Sequence, residues 1–247
     1  MKKIFLDKKV QQVNILDERF YTVDNVNFQP SVTTVLGAYP KGYHFEEWLR
    51  NNGQNSKSIV NEAATQGSNV HNAIDDYLKG VELSWIDDNG KENFTLLEWQ
   101  MITRFVQFFQ FVDKDNFISE QIMFSERMRL GGTTDLVCTI NGERWLIDHK
   151  TSNAIHTTHK IQLAVYKEMY EELTGEKIDR YGILWLKANT RTDKDFMQGK
   201  GWQIKEFTKD FDKDIRLYKH TRALWDEENP NYKPKNLSYA NKLSLIL

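Results

Sequence analysis

Cysteine is almost absent from this chain: one residue, Cys138, in 247. A lone thiol closes no internal disulfide, and an iron–sulfur cluster held by four cysteines is excluded. That usage suits a reducing cytoplasm. No apolar run approaches the roughly 20 residues that span a bilayer, so no membrane partner is expected. The opening MKKIFLDKKVQQ is basic, but its apolar stretch is only three residues long, so it does not read as a secretion signal. Neither sign of charge dominates. A net charge of −2 neither supports nor excludes a nucleic-acid substrate, because an acidic metal site offsets basic residues lining a groove. Internal repeats, low-complexity tracts and obvious linkers are missing. So are a phosphate-binding glycine loop and a nucleophile elbow, the motifs a small-molecule enzyme on an unrelated fold would need.

With 40% hydrophobic, 13% aromatic and 28% charged residues, what is there reads as a folded domain with a sizeable core. We expect a single domain over 1–247, with an N-terminal extension at 1–56, a core at 57–187 and a C-terminal strand and helix at 188–247. Residues 10–29 suggest one or two short strands with a turn at Asp24-Asn25, and SVTTVLG after Pro30 starts a helix capped by Ser31 or Thr33. Phe45–Asn51 reads as a short helix. From Lys57 to Lys79, Ile59, Val60, Ala63, Ala64, Gly67, Val70, Ile74, Tyr77 and Leu78 follow a three/four spacing that predicts a long one, ended by Gly80. Phe94–Val112 is a second amphipathic helix. Alternation then predicts strands near 118–126, 129–140 and 144–150, followed by a helix at 156–174 closed by Gly175, a strand at 179–187, a possible strand at 202–207 and a helix at 211–225. The fold class is therefore α/β (α+β): a mixed sheet in α-β-β-β-α-β order with helices on its faces, extra N-terminal strands and helices, and a C-terminal helix.

The stretch GGTTDLVCTINGERWLIDHK at 131–150 carries the chemistry. Asn141-Gly142 is a two-residue hairpin turn between the strands Thr134–Ile140 and Arg144–Lys150. Strand alternation sets Asp148 and Lys150 on one face and His149 on the other. Asp135, Asp148 and Lys150 thus form a patch of two hard oxygen ligands and a compact cation, which suits metal-assisted phosphodiester hydrolysis. The alternative is a surface hairpin with ordinary charges. However, Asp148 and Lys150 directly follow the apolar run Trp145-Leu146-Ile147, and buried charges are costly unless compensated. Two nearby carboxylates also repel. A divalent ion answers both problems; a salt bridge within the pair answers part of one.

Other residues are candidates beside more ordinary readings. Gly131-Gly132 would let the backbone approach a ligand, or make a plain bulge or turn. Glu120, on the preceding strand with Glu126 further along, would help position an ion or simply be an exposed strand glutamate. His71 has Gly67 one turn earlier on its helix, a place for a close neighbour, although lone helical histidines are usually structural. His159, Gln162 and Tyr166 share a helical face that either faces a phosphate site or is satisfied within the core, while Ile161, Leu163, Val165 and Met169 supply apolar surface. Lys213, Arg216, Lys219 and His220 give the last helix a basic side opposite Phe211, Ile215, Tyr218 and Trp225, and Lys187, Arg191 and Lys194 follow the fourth strand; Asp193, Asp195, Asp212 and Asp214 dilute that charge. Tyr39, Tyr43 and Trp48 would stack on bases, but are expected in the core.

Taken in order, SVTTVL at 31–36, G-x-x-V-H at 67–71, Glu120, G-x-x-D at 132–135, D-H-K-T-S at 148–152 and Q-x-x-x-Y at 162–166 resemble the PD-(D/E)XK nuclease superfamily. The nearest branch resembles the RecB-type group, with the CRISPR-associated single-strand exonucleases and the mitochondrial genome-maintenance exonuclease. The resemblance spans about 30–170 and implies a restriction-endonuclease-like core. It implies His71, Asp135, Asp148 and the backbone carbonyl of His149 as metal ligands, and Lys150 as the group that orients the attacking water and stabilises phosphate charge. Asp135, Asp148, Lys150 and Glu120 are then the expected catalytic set. Gln162, Tyr166, His159, Ser31 and Thr33 would meet substrate. Thr134 stands where the superfamily's name has proline, and the cysteines of the branch's iron–sulfur members are missing.

The implied activity is a deoxyribonuclease using one or two Mg²⁺ or Mn²⁺ ions and no iron–sulfur cluster, an exonuclease on DNA ends with single strands favoured. Its implied setting is phage or bacterial DNA replication, recombination or repair, in the bacterial or phage-infected cytoplasm, with replication or recombination proteins as partners. The alternatives are a structure-specific endonuclease or RNA-acting nuclease on the same fold, and a catalytically inactive nucleic-acid-binding module, whose mark would be loss of Asp135, Asp148 or Lys150. All three are present.

Overall fold

A computed structural model describes residues 10–16, 18–187, 202–235 and 244. Its centre is a five-stranded sheet in the order β4-β5-β6-β7-β8, formed by β4 (Phe117–Ser125), β5 (Leu130–Ile140), β6 (Glu143–Lys150), β7 (Arg180–Trp185) and β8 (Gln203–Glu206). β6 and β7 pair in parallel and the other neighbours antiparallel. A parallel pair needs a crossover, and α5 (Thr157–Thr174) supplies it. The sheet is thus mixed and flanked by helices in the expected helix, three strands, helix, strand order.

The two faces bury different clusters. On one, Val137 and Leu146 pack against Ile161, Leu163, Val165 and Met169 of α5, with α1 (Val32–Leu36) and α6 (Phe211–Glu228) behind. On the other, Leu136, Cys138 and Ile147 meet α3 (Ser56–Leu78) and α4 (Leu96–Phe109). Met101, Ile102, Phe105, Phe108 and Phe109 make a buried stripe along α4 at helical spacing. Its start is fixed by a capping box between Thr95 and Glu98.

Residues 10–30 differ from expectation. They form three strands, β1 (Gln11–Ile15), β2 (Glu18–Thr22) and β3 (Phe28–Pro30), in a separate antiparallel sheet. The strands reverse at Leu16 and at Asn25, both with positive φ, and the turn at Asp24-Asn25 lies between β2 and β3. Leu16 is not a residue type that announces such a turn, so two reversals are harder to read than one.

The long helix is also only half as expected. Val70, Ala73 and Ile74 are buried, but Ile59 and Val60 are 40% and 51% exposed. The apolar spacing runs the whole length of α3, while the sheet lies under its second half alone. Similarly, α2 (Tyr43–Asn52) buries none of its residues, so Tyr43, 65% exposed, is not core; Trp48 is half-buried and stacks on Phe45. Tyr39 is half-buried against the α5-side cluster. On α6, Ile215, Tyr218 and Trp225 are buried, Lys213, Arg216, Lys219 and His220 are exposed, and Asp214 is buried rather than part of that charged side. Arg191, Asp193, Lys194 and Asp195 lie outside the described residues. No described helix is long and apolar enough to cross a membrane.

Candidate metal centre and the adjoining cleft

The hairpin of β5 and β6 is tightly paired from Ile140↔Glu143 to Leu136↔Ile147, and there its ladder stops. Asn141 and Gly142 close the turn with φ of +52° and +82°, the backbone a primed two-residue turn requires. Past Leu136 and Ile147 the strands part, and Asp135 and Asp148 are the first residues beyond the fork. Lys150 follows while β6 continues along β7 as far as Lys150↔Trp185. On the other side of β5, the ladder with β4 runs from Phe117↔Cys138 to Ser125↔Leu130 but skips Glu120. Glu120 would oppose Asp135, and its φ of +47° is a strained choice for a residue with a Cβ.

The wedge opened by the fork is filled from the N-terminal region. Ser31 bridges to Gly131, and Tyr21 Oη contacts Thr133 Oγ1 at 3.1 Å. This explains the glycine pair otherwise than expected, since neither residue makes room for a ligand. A Cβ on Gly131 would overlap the Tyr21 ring, and one on Gly132 would fall 2.5 Å from Tyr166 Cε1. Two tyrosine rings occupy the places of two side chains.

His71 arrives from α3. A Cβ at Gly67 would lie 3.2 Å from Thr151 Oγ1, so that glycine does admit a close neighbour, just beyond the Asp-His-Lys triplet. One turn on, His71 Nε2 is 3.1 Å from the carbonyl oxygen of His149, and Nδ1 is 3.6 Å from Asp135 Oδ2. Asp135 Oδ2 also accepts from the backbone N–H of His149 at 2.7 Å. Lys150 Nζ lies 2.6 Å from Asp148 Oδ2 and forms an ion pair with it.

Burial tunes these groups. It pushes the Asp148 carboxyl up, with the Asp135 charge adding and Lys150 opposing. For Lys150, burial works downward but Asp148 and Asp135 outweigh it, and the ammonium is held above its usual range. The His149 ring, 2% exposed and edge-on to Phe105, is pushed down to about 3 by burial, with the neighbouring His71 adding to the shift. Glu120 is exposed, yet its carboxyl is shifted upward by desolvation, then by Asp135 and Asp75.

These residues suit a divalent cation. Asp148 is buried with Lys150 as its neighbouring cation, and the charge of Asp135 and His71 acts on it as well. His71, Asp135 and His149 offer ligand atoms within 4.8 Å of one another. A bound ion would offset the repulsion that otherwise protonates one carboxylate.

Next to Lys150 opens a cleft of 540 Å³, lined among others by Thr33, Tyr39, Lys41, Phe45, His159 and Gln162. Gln162 Nε2 donates to Tyr166 Oη at 3.1 Å, which ties the cleft wall to the ring seated on Gly132. His159 Nδ1 accepts from the His156 N–H at 3.3 Å, and burial, then the Lys150 charge, lowers its pKa to about 4. Ser31 does not line this cleft. Its Oγ accepts from the Thr34 N–H at 2.9 Å and caps α1.

The sequence reading missed four participants. Asp75, one turn beyond His71 on α3, meets Ser119 and Lys79 and faces Glu120; its i,i+4 spacing from His71 was the available signal. The His149 side chain was read only as the far face of a strand. Lys41 and Phe45, with Lys41 Nζ 4.7 Å from the ring centroid, carry no motif.

A β-fork that gathers two carboxylates and a lysine, met by a helical histidine, is an arrangement that could hold a divalent ion for hydrolytic chemistry. The family model of the PD-(D/E)XK nuclease superfamily matches residues 40–235, and the chain belongs to that superfamily. Membership implies a metal-dependent nuclease that binds nucleic acid. No curated protein matches the chain.

Proposed function

We propose that this protein is a Mg²⁺- or Mn²⁺-dependent deoxyribonuclease, a single nuclease domain over 1–247 that acts as an exonuclease on DNA ends, favouring single strands, in phage or bacterial replication, recombination or repair. The observation that supports this most directly is the cleft beside Lys150. It is lined by Tyr39 and Phe45 and joined by Lys41, and an aromatic wall with a nearby cation suits unpaired bases and their phosphates. Exposed Tyr43, 5.7 Å from the Arg50 guanidinium, continues that surface along α2.

In this reading His71, Asp135 and Asp148, with one group of His149, hold the ion. When bound, the ion lowers the pKa of a water and offsets charge on the phosphate. Lys150 places a positive charge at the same centre and orients the attacking water. Glu120 helps to position the ion or a second one. Gln162, His159 and Thr33 meet the nucleotide from the cleft wall. Tyr166 acts through Gln162, and Ser31 through the α1 cap.

The test uses end-labelled linear and circular single-stranded DNA with Mg²⁺, Mn²⁺ or EDTA. Metal-dependent loss of the linear strand alone, abolished by Lys150→Ala, is expected. Cutting of circles would make the enzyme an endonuclease. DNA binding without cleavage under any metal would overturn the catalytic reading.

A further inference from the structure

The two sides of Lys150 are opposite in charge. On the hairpin side stand the carboxylates of Asp135 and Asp148, with Glu120 and Asp75 beyond them. On the cleft side the lining adds a second ammonium, Lys41, the imidazoles of His156 and His159, and the hydroxyls of Thr157 and Thr158. No aspartate or glutamate lines the cleft among the described residues, although the chain holds 35 acidic residues against 33 basic ones. A wall that gathers donors and leaves out carboxylates favours an anion. The phosphate under attack does not account for it, because the metal centre and Lys150 serve that group. The cleft is furnished for a second one.

Its size suits one nucleotide rather than a duplex. The 540 Å³ lies within about 300–1,000 Å³, the range of pockets that enclose a small ligand. Tyr39 and Phe45 offer a face to one base. Lys41 Nζ, 4.7 Å from the Phe45 ring centroid, is held at that wall by the ring. A phosphodiester inside a strand carries a single negative charge, whereas a phosphate monoester carries about −1.5 to −2 at neutral pH. The monoester is the better match to Lys41 and the donors around it.

We propose that the cleft is a subsite for the phosphorylated terminal nucleotide of a DNA strand, with Lys41, Thr157 and Thr158 receiving the terminal phosphate and Phe45 the base. The strand enters the cleft end first, and the phosphate on that end determines which DNA ends are taken. This rests on the single-strand reading of the cleft given above.

The test measures binding by fluorescence anisotropy, in EDTA and again with Ca²⁺. Short oligothymidylates carry a 5′-phosphate, a 3′-phosphate or neither, with the dye at the end away from the phosphate. One phosphorylated form should bind about tenfold or more tightly than the bare strand, and which form it is identifies the end that enters. Gly42→Asp then sets a carboxylate at the cleft without crowding it. A Cβ there meets nothing within 4 Å, the backbone is extended at φ −70° and ψ 165°, and the residue caps α2, a position that favours aspartate. In Gly42→Asp and in Lys41→Gln the ratio of affinities should fall towards one. Because the ratio is read within each variant, a general loss of affinity does not mimic this result. Equal affinities for all three strands in the wild type overturn the proposal and leave the nuclease reading intact. A ratio that survives both substitutions puts the phosphate elsewhere and overturns it as well. Binding of no strand in either condition removes the single-strand reading together with the proposal.

Discussion

The two ends of the β5–β6 hairpin are made of the same backbone and do opposite things. At the turn, Asn141-Gly142 and five consecutive pairs from Ile140↔Glu143 to Leu136↔Ile147 leave little unpaired. At the fork, pairing stops at the residues that carry the charges. A continued ladder would stack Asp135 against Asp148 as a cross-strand like-charge pair, which is destabilising. Ending it lets Asp135 reach the His149 N–H and lets Lys150 reach Asp148. The paired end supplies stability and register, and the open end spends some of both on holding buried charge.

That contrast is broken most severely by changing the open end. Asp148→Asn and Lys150→Ala should each lower DNA cleavage by roughly 10²–10³-fold, the range seen when a group stabilising transition-state charge is removed. Their stabilities should diverge. Lys150→Ala leaves Asp148, 2% exposed, without its cation and should cost about 3 kcal/mol, whereas the neutral amide of Asp148→Asn should cost less. Initial rates and urea denaturation measure the two effects separately; equal stabilities would mean that the ion pair is not what compensates the buried carboxylate.

A smaller effect comes from filling the open end. A divalent ion that binds only the folded state at 100 times its dissociation constant adds about 2.7 kcal/mol. Thermal denaturation of the wild type should therefore shift upward with Mn²⁺ or Mg²⁺ and return with EDTA. Asp135→Asn should flatten that response. A shift that persists in Asp135→Asn would place the ion elsewhere.

The floor of the fork tests whether packing, not ligand approach, explains its glycines. In Gly132→Ala the new methyl would meet Tyr166 Cε1 at 2.5 Å, and overpacking of this kind costs about 1–3 kcal/mol. Displacing Tyr166 should also disturb Gln162 through their hydrogen bond, so cleavage should fall with stability. Tyr166→Leu in the same chain should recover part of the stability but not the activity.

The same division governs what the sequence made legible. Alternation, the Asn-Gly turn and helical spacing placed β4 to β7, α4 and α5 closely, because each repeats a local pattern over many residues. The charged triplet marked the site because Asp148 and Lys150 follow an apolar run. What stayed hidden depended on distant partners. Nothing local to Gly131 names Tyr21, about 110 residues earlier along the chain. The apolar spacing of α3 could not say that only its second half meets the sheet. The His149 ring looked like the far face of a strand until α3 brought His71 to it.

The smallest expected effect lies at the closed end and calibrates the rest. Gly142 has φ of +82°, where an alanine side chain costs about 1 kcal/mol. Gly142→Ala should lower stability by that amount in a denaturant titration while each folded molecule cleaves DNA at the wild-type rate. The turn touches no group of the metal centre, and the pairs from Ile140↔Glu143 to Leu136↔Ile147 stand between it and the fork. If cleavage falls in proportion to the strain at the turn, the register transmits it, and the two ends work as one element rather than as a scaffold with a site at its tip.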